Sequence, residues 1–378
     1  MVKLKIPFFI PEITNDDKQC VMKALDAPML TDGPKLREFE KNFAKYTGSN
    51  YAVGVSNATS ALHLSIKALG IGKGDEVIVP DITFVATINA VLACDATPVL
   101  ADVNKEDSNI SVKSIKNSIT SKTKLIIPVH IAGKICDIKE IKKIADKEKI
   151  AILEDCAHAI GTRLNKKHVG LFGKMGCFSF YPTKNITTIE GGMVITNSKR
   201  IAKYVASMRN HGLTKTLEDR FSKGKPWNFD VIEPGFNYRL DEIRASLGIN
   251  QLKRIEKVNN IRKKISDTYN DKLSGIEGIL TPQRSKNKED SHHLYRIRVT
   301  KEFRISRDEL FFRLRSKGVS TSLHYRPLHD FQAYKKIIKN YDKLNNANQI
   351  YNETLSLPLY TKISKKQQEY VIKCIKNV

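Results

Sequence analysis

The chain has no apolar run approaching the roughly 18 residues that a membrane-spanning helix needs, so no membrane partner is expected. Its opening stretch, MVKLKIPFFIPEITNDD, carries only a short apolar patch interrupted by Pro7 and Pro11. It lacks the apolar core and small-residue cleavage site of a secretory signal. Six cysteines (Cys20, Cys94, Cys136, Cys156, Cys177, Cys374) are scattered, with no Cys-x-x-Cys pair. Thiols placed inside segments such as MGCFSF exclude a disulfide frame or a zinc ribbon and imply reduced, buried groups. No Gly-x-Gly-x-x-Gly opens a helix, and no Gly-x-x-x-x-Gly-Lys-Ser/Thr occurs, so neither nucleotide motif is expected. These absences together point to a cytoplasmic protein.

What is present is an ordinary globular composition. The 378 residues are 41% hydrophobic and 28% charged, with 15 Phe and 13 Tyr to pack. That length fits two or three domains, and the composition excludes a disordered or fibrous chain. Lys and Arg number 64 against 40 Asp and Glu, a net charge of +24. Such a charge raises the alternative of a nucleic-acid binder working through nonspecific phosphate contacts. The basic residues, however, are dispersed through KKIADKEK, SKNKED and SKKQQEY with acids interleaved. No nucleic-acid motif accompanies them, and nucleic acid is not expected as a partner.

The first two-thirds alternates short β-branched runs with helix-period stretches. Strands are expected at Tyr51–Val55, Glu76–Pro80, Thr97–Ala101, Lys124–Val129, Ile150–Glu154, Gly176–Phe180 and Gly192–Thr196. Helices are expected at Ser60–Leu69, Ala86–Ala93, Asp137–Lys147 and Lys199–Asn210. Runs such as KLIIPV and IAILED are apolar at successive positions, the mark of parallel strands covered on both faces. The alternation predicts an α/β layer architecture. From about Asn237 the texture changes: a long helix-period segment puts Leu240, Ile243, Leu247 and Leu252 on one stripe, and a strand at Leu294–Val299 and further helices follow. Thr214–Trp227 reads as a long loop of the kind that often carries function.

Four segments carry chemistry at strand ends. In Ser56-Asn57-Ala58-Thr59-Ser60 a helix opens directly after a strand, which makes either an anion site or a simple N-cap. In IAILEDCAHAIG a buried strand ends at Glu154-Asp155, with His158 three residues on; Asp155 either faces a protonated ring nitrogen or serves as a cap or ion pair. In GCFSFYPTKNITTIEGG, Pro182 stops a strand and Lys184 stands in a polar turn beside Ser179, Thr183 and Asn185. Partial desolvation there lowers a lysine's pKa and frees its amine to attack a carbonyl, although most lysines are merely solvated. Phe84, just past a strand, either stacks on a flat ring or packs in the core. His63 sits on an apolar helical face and reads as packing. His292-His293 do not make a metal site, and no metal is expected.

Taken in order, the segments GP, SNATSALHL, GDEVIVPDITFVATINAV, PVHIAG, EDCAHAIG, FSFYPTKNITTIEGGMV, RNHG, FNYRLDEIRASLGINQL and HYRPLH resemble the DegT/DnrJ/EryC1/StrS family of sugar aminotransferases, from Phe8 to about Tyr360. The resemblance implies a pyridoxal 5'-phosphate enzyme of aspartate aminotransferase-like fold (fold type I). Its large α/β domain, residues 1–240, holds a mixed, mostly parallel seven-stranded sheet. Residues 241–378 form a linking helix and a smaller C-terminal α+β domain. Position by position, Lys184 matches the lysine that condenses with the cofactor's aldehyde, and Asp155 the acid that keeps the pyridine nitrogen protonated. Ala58, Thr59 and Ser179 match phosphate-holding positions, Phe84 the stacking aromatic, and His158 a residue on the opposite face. Asn237 matches an asparagine sent across the interface of a homodimer with shared active sites.

The same resemblance implies transfer of an amino group from L-glutamate, leaving 2-oxoglutarate, to a keto-sugar on a nucleoside diphosphate. The favoured substrate is a 4-keto-6-deoxy hexose, and the product serves amino-sugar or polysaccharide biosynthesis. His324, Tyr325 and His329 of HYRPLHDF are expected to face the sugar or its diphosphate; the alternative is a structural turn around Pro327. Arg239 either meets an anion or pairs with Asp241 or Glu242. A sugar dehydratase or a non-catalytic regulator of the same family is the nearer alternative, but the dehydratase branch replaces the lysine that Lys184 retains. One position departs from the family: Ile189 stands where glycine is common.

Overall fold

A computed structural model of the chain describes residues 5–215, 225–283, 288–340 and 342–378. Most of the expected loop Thr214–Trp227 lies outside these residues. The strands in chain order begin with β1 (Tyr51–Val55), β2 (Glu76–Pro80), β3 (Thr97–Ala101), β4 (Thr123–Ile126) and β5 (Ala151–Asp155). A small hairpin, β6 (Arg163–Leu164) and β7 (Lys167–His168), precedes β8 (Met175–Ser179) and β9 (Gly192–Thr196). The main sheet runs β1-β9-β8-β5-β4-β2-β3. Only β9 is antiparallel to its neighbours, β1 and β8. This is the expected seven-stranded mixed sheet, extended at the β3 edge by two residues, Lys339–Asn340.

The apolar runs explain the layering. Successive residues of a strand point to opposite faces, and here both faces are covered. Ile152 of β5 joins Phe39, Phe43, Ile138, Ile141 and Ile249 on one side. Leu153 joins Leu62, Ile66, Ile88, Val91 and Val205 on the other. Helices thus cover the two faces and leave the carboxyl edge of the parallel strands open, where α/β sheets bind ligands. A separate core gathers Tyr269, Tyr295, Ile297, Leu314, Leu355, Leu357 and Val371 around the sheet β10 (Ile279–Leu280), β11 (Tyr295–Val299) and β12 (Thr354–Leu357). Ile6 of the N-terminal segment also packs there.

The long helix-period segment divides into two helices, Glu242–Leu252 and Ile255–Leu273. At the break, the Arg254 guanidinium reaches the buried Asp17 carboxylate at 2.7 Å. The first of these helices is buried well beyond one stripe, including Glu242, Ala245, Ser246 and Gly248, because it is wedged against the helices Asn15–Leu25 and Pro34–Thr47. Its Glu242 carboxylate accepts the amides of Gly33, Lys35 and Leu36, capping the second of those helices from outside. Among the described residues no helix is long and apolar enough to cross a membrane.

Candidate active site

The open edge collects the four chemical segments. At the end of β5, Asp155 is only 4% exposed. Its Oδ1 accepts the Ala157 N–H at 3.1 Å, and its Oδ2 accepts the Thr87 hydroxyl at 2.9 Å. Thr87 therefore receives its own hydrogen bond from Thr83, 2.9 Å away. Burial raises the Asp155 pKa, while Ala157, Thr87 and the nearby Lys184 charge pull it back. No basic side chain pairs with it among the described residues. Two neutral donors on a group with about four acceptor positions leave this buried carboxylate capacity for a cationic partner.

Lys184 stands in the turn after β8, its N–H bonded to the Tyr181 carbonyl at 2.9 Å. Its residue keeps some accessible surface, yet protein atoms crowd the amine. That desolvation brings its pKa down to about 8, against the pull of Asp155. The chain returns through Gly192, where a Cβ would stand 2.4 Å from the Asn57 carbonyl oxygen. Only glycine lets β9 start against the helix Ala58–Ala68. Ile189 adopts φ +69° and is 62% exposed. A β-branched residue thus occupies the left-handed backbone that suits glycine, which is the structural content of the departure from the family.

Asn57 caps the helix Ala58–Ala68, its Oδ1 accepting the Ser60 N–H at 2.8 Å. Ala58 and the exposed Thr59 form the first turn, so the positive helix end faces the open edge. Ser179 ends β8 beside it. Phe84 is 58% exposed, which removes the core reading; its ring lies 6.0 Å from that of Tyr325. His158 is buried, its Nδ1 accepting the Ala132 N–H at 3.3 Å and its Nε2 3.1 Å from the Tyr325 hydroxyl. Desolvation and the Lys184 charge hold it well below the usual histidine range. His324, bonded to Ser356 at 2.8 Å, is pushed down to about 3 by burial and by Arg296 and Lys184. Burial likewise raises the Tyr325 phenol.

The HYRPLH residues therefore separate. His324 and Tyr325 stand with His158 around Lys184, whereas His329 turns to Asp81 at the end of β2. Its Nδ1 meets the Asp81 carboxylate at 2.6 Å, and its N–H reaches the other carboxylate oxygen at 3.1 Å. That hydrogen bond raises the His329 pKa, while burial outweighs it at Asp81 and pushes the carboxyl up. Arg239 takes neither expected acid: it donates to the Asn210 Oδ1 at 2.7 Å. Asp241 instead pairs with Arg244. Asn237 is exposed, and its backbone bridges to Asn210. His63 packs on Phe236 with rings 4.9 Å apart.

The sequence placed Asn185 beside Lys184 but not the residues that hold it. Asn185, next to Lys184, donates to Asn259 Oδ1 and to the Ser291 carbonyl, both at 2.7 Å. Its Oδ1 lies 3.2 Å from His293 Nδ1. The His293 ring is 4.4 Å from that of His158. Beyond Asn185 itself, the sequence offered the pair His292-His293, which does not make a metal site and had no assigned role. A second cluster, His130, Glu154 and Cys156, is wholly buried with ligand atoms within 4.8 Å of one another. Its carboxylate is already committed to three backbone amides and to His130, so it reads as structure. A cleft of about 880 Å³ opens behind this edge, lined by Ser108, Ala132, Asn259, His292 and Arg296 but not by Lys184 or Asp155.

A lysine amine poised near neutrality, an under-satisfied buried acid and an outward helix end are the parts needed to hold a phosphorylated pyridine aldehyde. The comparisons agree. Residues 11–376 match the model of the DegT/DnrJ/EryC1/StrS aminotransferase family, and the chain belongs to that family. It is 35% identical over 377 residues to the spore coat polysaccharide biosynthesis protein SpsC of Bacillus subtilis, covering 99% of this chain and 97% of that protein. Its structure resembles that of a Streptococcus pneumoniae protein described as a sugar aminotransferase, Spr1654, in its PMP-form: TM-score 0.93, 30% identity, 99% of this chain and 98% of that one covered. PseC of Helicobacter pylori, an aminotransferase involved in the biosynthesis of pseudoaminic acid, gives a TM-score of 0.92 at 28% identity, with 99% of each chain covered. The protein is a pyridoxal-phosphate-dependent transaminase of the sugar-aminotransferase class.

Proposed function

We propose that this enzyme moves an amino group from L-glutamate to a 4-keto-6-deoxy hexose carried on a nucleoside diphosphate, in the making of an amino sugar for a polysaccharide. The observation that carries this is Lys184, its pKa lowered to about 8 beside the buried Asp155. When bound, pyridoxal phosphate supplies an electron sink for the carbanion left at the amino donor's Cα. Asp155 Oδ holds the proton on the pyridine nitrogen. Lys184 Nζ would take the proton from the donor's Cα and deliver it to the cofactor's aldehyde carbon, and a base near neutrality suits both directions. Ala58, Thr59 and Ser179 hold the phosphate, with Phe84 and His158 on the two ring faces. Asn237 reaches the phosphate of the partner in a homodimer, a role that fits its exposure here. His324 and Tyr325 meet the sugar, and the neutral state of His324 at physiological pH lets it accept as well as donate. His329 and Arg239 support the same wall from Asp81 and Asn210. The relatives SpsC and PseC, named for polysaccharide and pseudoaminic acid biosynthesis, support an amino sugar as product.

The test is a panel of nucleotide-linked keto-sugars with L-glutamate, read by mass spectrometry for the added amine. Amination of a 4-keto-6-deoxy hexose is expected. Conversion of only 3-keto sugars, or dehydration without amine gain, would refute it.

A further inference from the structure

The segment Ser291–His293 is stitched to the active-site edge more densely than any motif predicts. The Ser291 hydroxyl donates to the His158 carbonyl at 2.8 Å, and the His293 N–H to the Ala132 carbonyl at 3.0 Å. Gly133, at φ +88°, leaves the space that the Ser291 hydroxyl fills. From the linking helix, the buried Arg262 guanidinium donates to the carbonyls of His292 and His293 at 2.9 and 2.6 Å. Within this frame His293, 4% exposed, points its Nδ1 at the side chain that follows Lys184. We propose that His293, as the Nδ1–H tautomer, is a positioning residue for Lys184, acting through the carboxamide of Asn185.

The tautomer follows from counting donors. Asn259 spends its own amide on the Ile160 carbonyl at 3.0 Å, so its Oδ1 is the acceptor for Asn185. Asn185 therefore directs its NH2 at Asn259 and Ser291 and its oxygen at His293. A carboxamide oxygen only accepts, so the proton on the His293 ring sits at Nδ1. The groups facing the ring are His158, Lys184, Arg262 and His324, and with burial they keep it neutral. All three hydrogen bonds of Asn185 thus run to residues 74 to 108 positions away. The turn bearing Lys184 is fixed to the linking helix and to the approach of β11. A displacement of about 1 Å in a reacting group costs on the order of 10²-fold in rate, so this carboxamide controls where the amine stands.

This inference rests on the role proposed for Lys184, and the experiment separates the two. Full-length protein stripped of cofactor is mixed with pyridoxal 5'-phosphate, and the rate of borohydride-reducible capture is followed against pH. Asn places its amide near Nδ1 and Gln near Nε2, so His293→Asn keeps the donor to Asn185 while His293→Gln and His293→Ala lose it. Asp155, His158, His293 and His324 face the amine, and loosening the turn admits water among them. His293→Ala and His293→Gln are expected to move the midpoint upward from about 8 toward the ordinary lysine value and to slow capture about 10- to 100-fold. His293→Asn should restore both. Asn185→Ala should act like His293→Ala, and the double variant should be no slower than either. Capture as slow in His293→Asn as in His293→Ala, additive losses in the double variant, or a lowered melting temperature with an unchanged midpoint would each overturn the proposal. Wild-type protein that captures nothing would remove the Lys184 role and this one with it.

Discussion

Glu154 and Asp155 are neighbours on β5, carry the same charge and are both buried, yet they end in opposite circumstances. Glu154 accepts the amides of Gly170, Phe172 and Gly173, each at 2.7 Å, and faces His130 Nε2 at 3.0 Å. The His130 Nδ1 accepts the Cys136 N–H, so its Nε2 is the donor to Glu154. Four donors saturate the group, and it pins the 170–173 turn beneath the sheet. Asp155 accepts two neutral donors and faces the open edge. The difference teaches that a carboxylate's role is set by how many of its acceptor positions the fold fills: a filled one holds structure, a half-filled one is reserved for a ligand.

The sharpest way to break this contrast lies beside Asp155. Lys184→Ala should abolish the yellow, borohydride-reducible chromophore while the melting curve keeps its midpoint; a persisting chromophore would place the covalent link elsewhere. Asp155→Asn should keep the fold and lower turnover about 10²- to 10³-fold, the scale on which a preorganised charge acts. Steady-state kinetics beside thermal melting would show whether activity and stability part company. Glu154→Gln should do the reverse. An amide NH2 set against a donor N–H leaves a buried group unpaired, at about 1–3 kcal/mol. Denaturant unfolding should register that loss, with turnover per folded molecule little changed.

The smallest effect concerns the other acid at this edge. Asp81 raises the pKa of His329, so this group's contribution to stability is complete below its unfolded value near 6.5 and fades as pH climbs through the higher folded value. Wild type should exceed His329→Gln by about 1–2 kcal/mol at mildly acidic pH, where Asp81 is still ionised, and the gap should close as pH rises. A gap that widens toward alkaline pH would show that the ring is held neutral.

Much of the site could be read from local pattern. Strands covered on both faces are apolar at every position, so their ends are visible where polarity returns, and Asp155 and Lys184 stand at such ends. Ser56-Asn57-Ala58-Thr59 was legible for the same reason, since a cap is a short-range device. The Asp81–His329 pair was not, because its partners are 248 positions apart. Nor was the fate of Arg239, whose acidic neighbours in sequence are drawn to other partners. The division of the long helical segment at Arg254 escaped periodicity because it accompanies a tertiary ion pair with Asp17.

The amino-acid order alone determined the alternation of strands and helices, the open carboxyl edge and the identities of the acid and the amine there, since each depends on residues within a turn or two. Tertiary structure alone decided which carboxylate was left half-satisfied, which histidines gathered around Lys184 and what grips Asn185. Those outcomes depend on hydrogen-bond capacity, and that is assigned only when distant segments meet and exclude water.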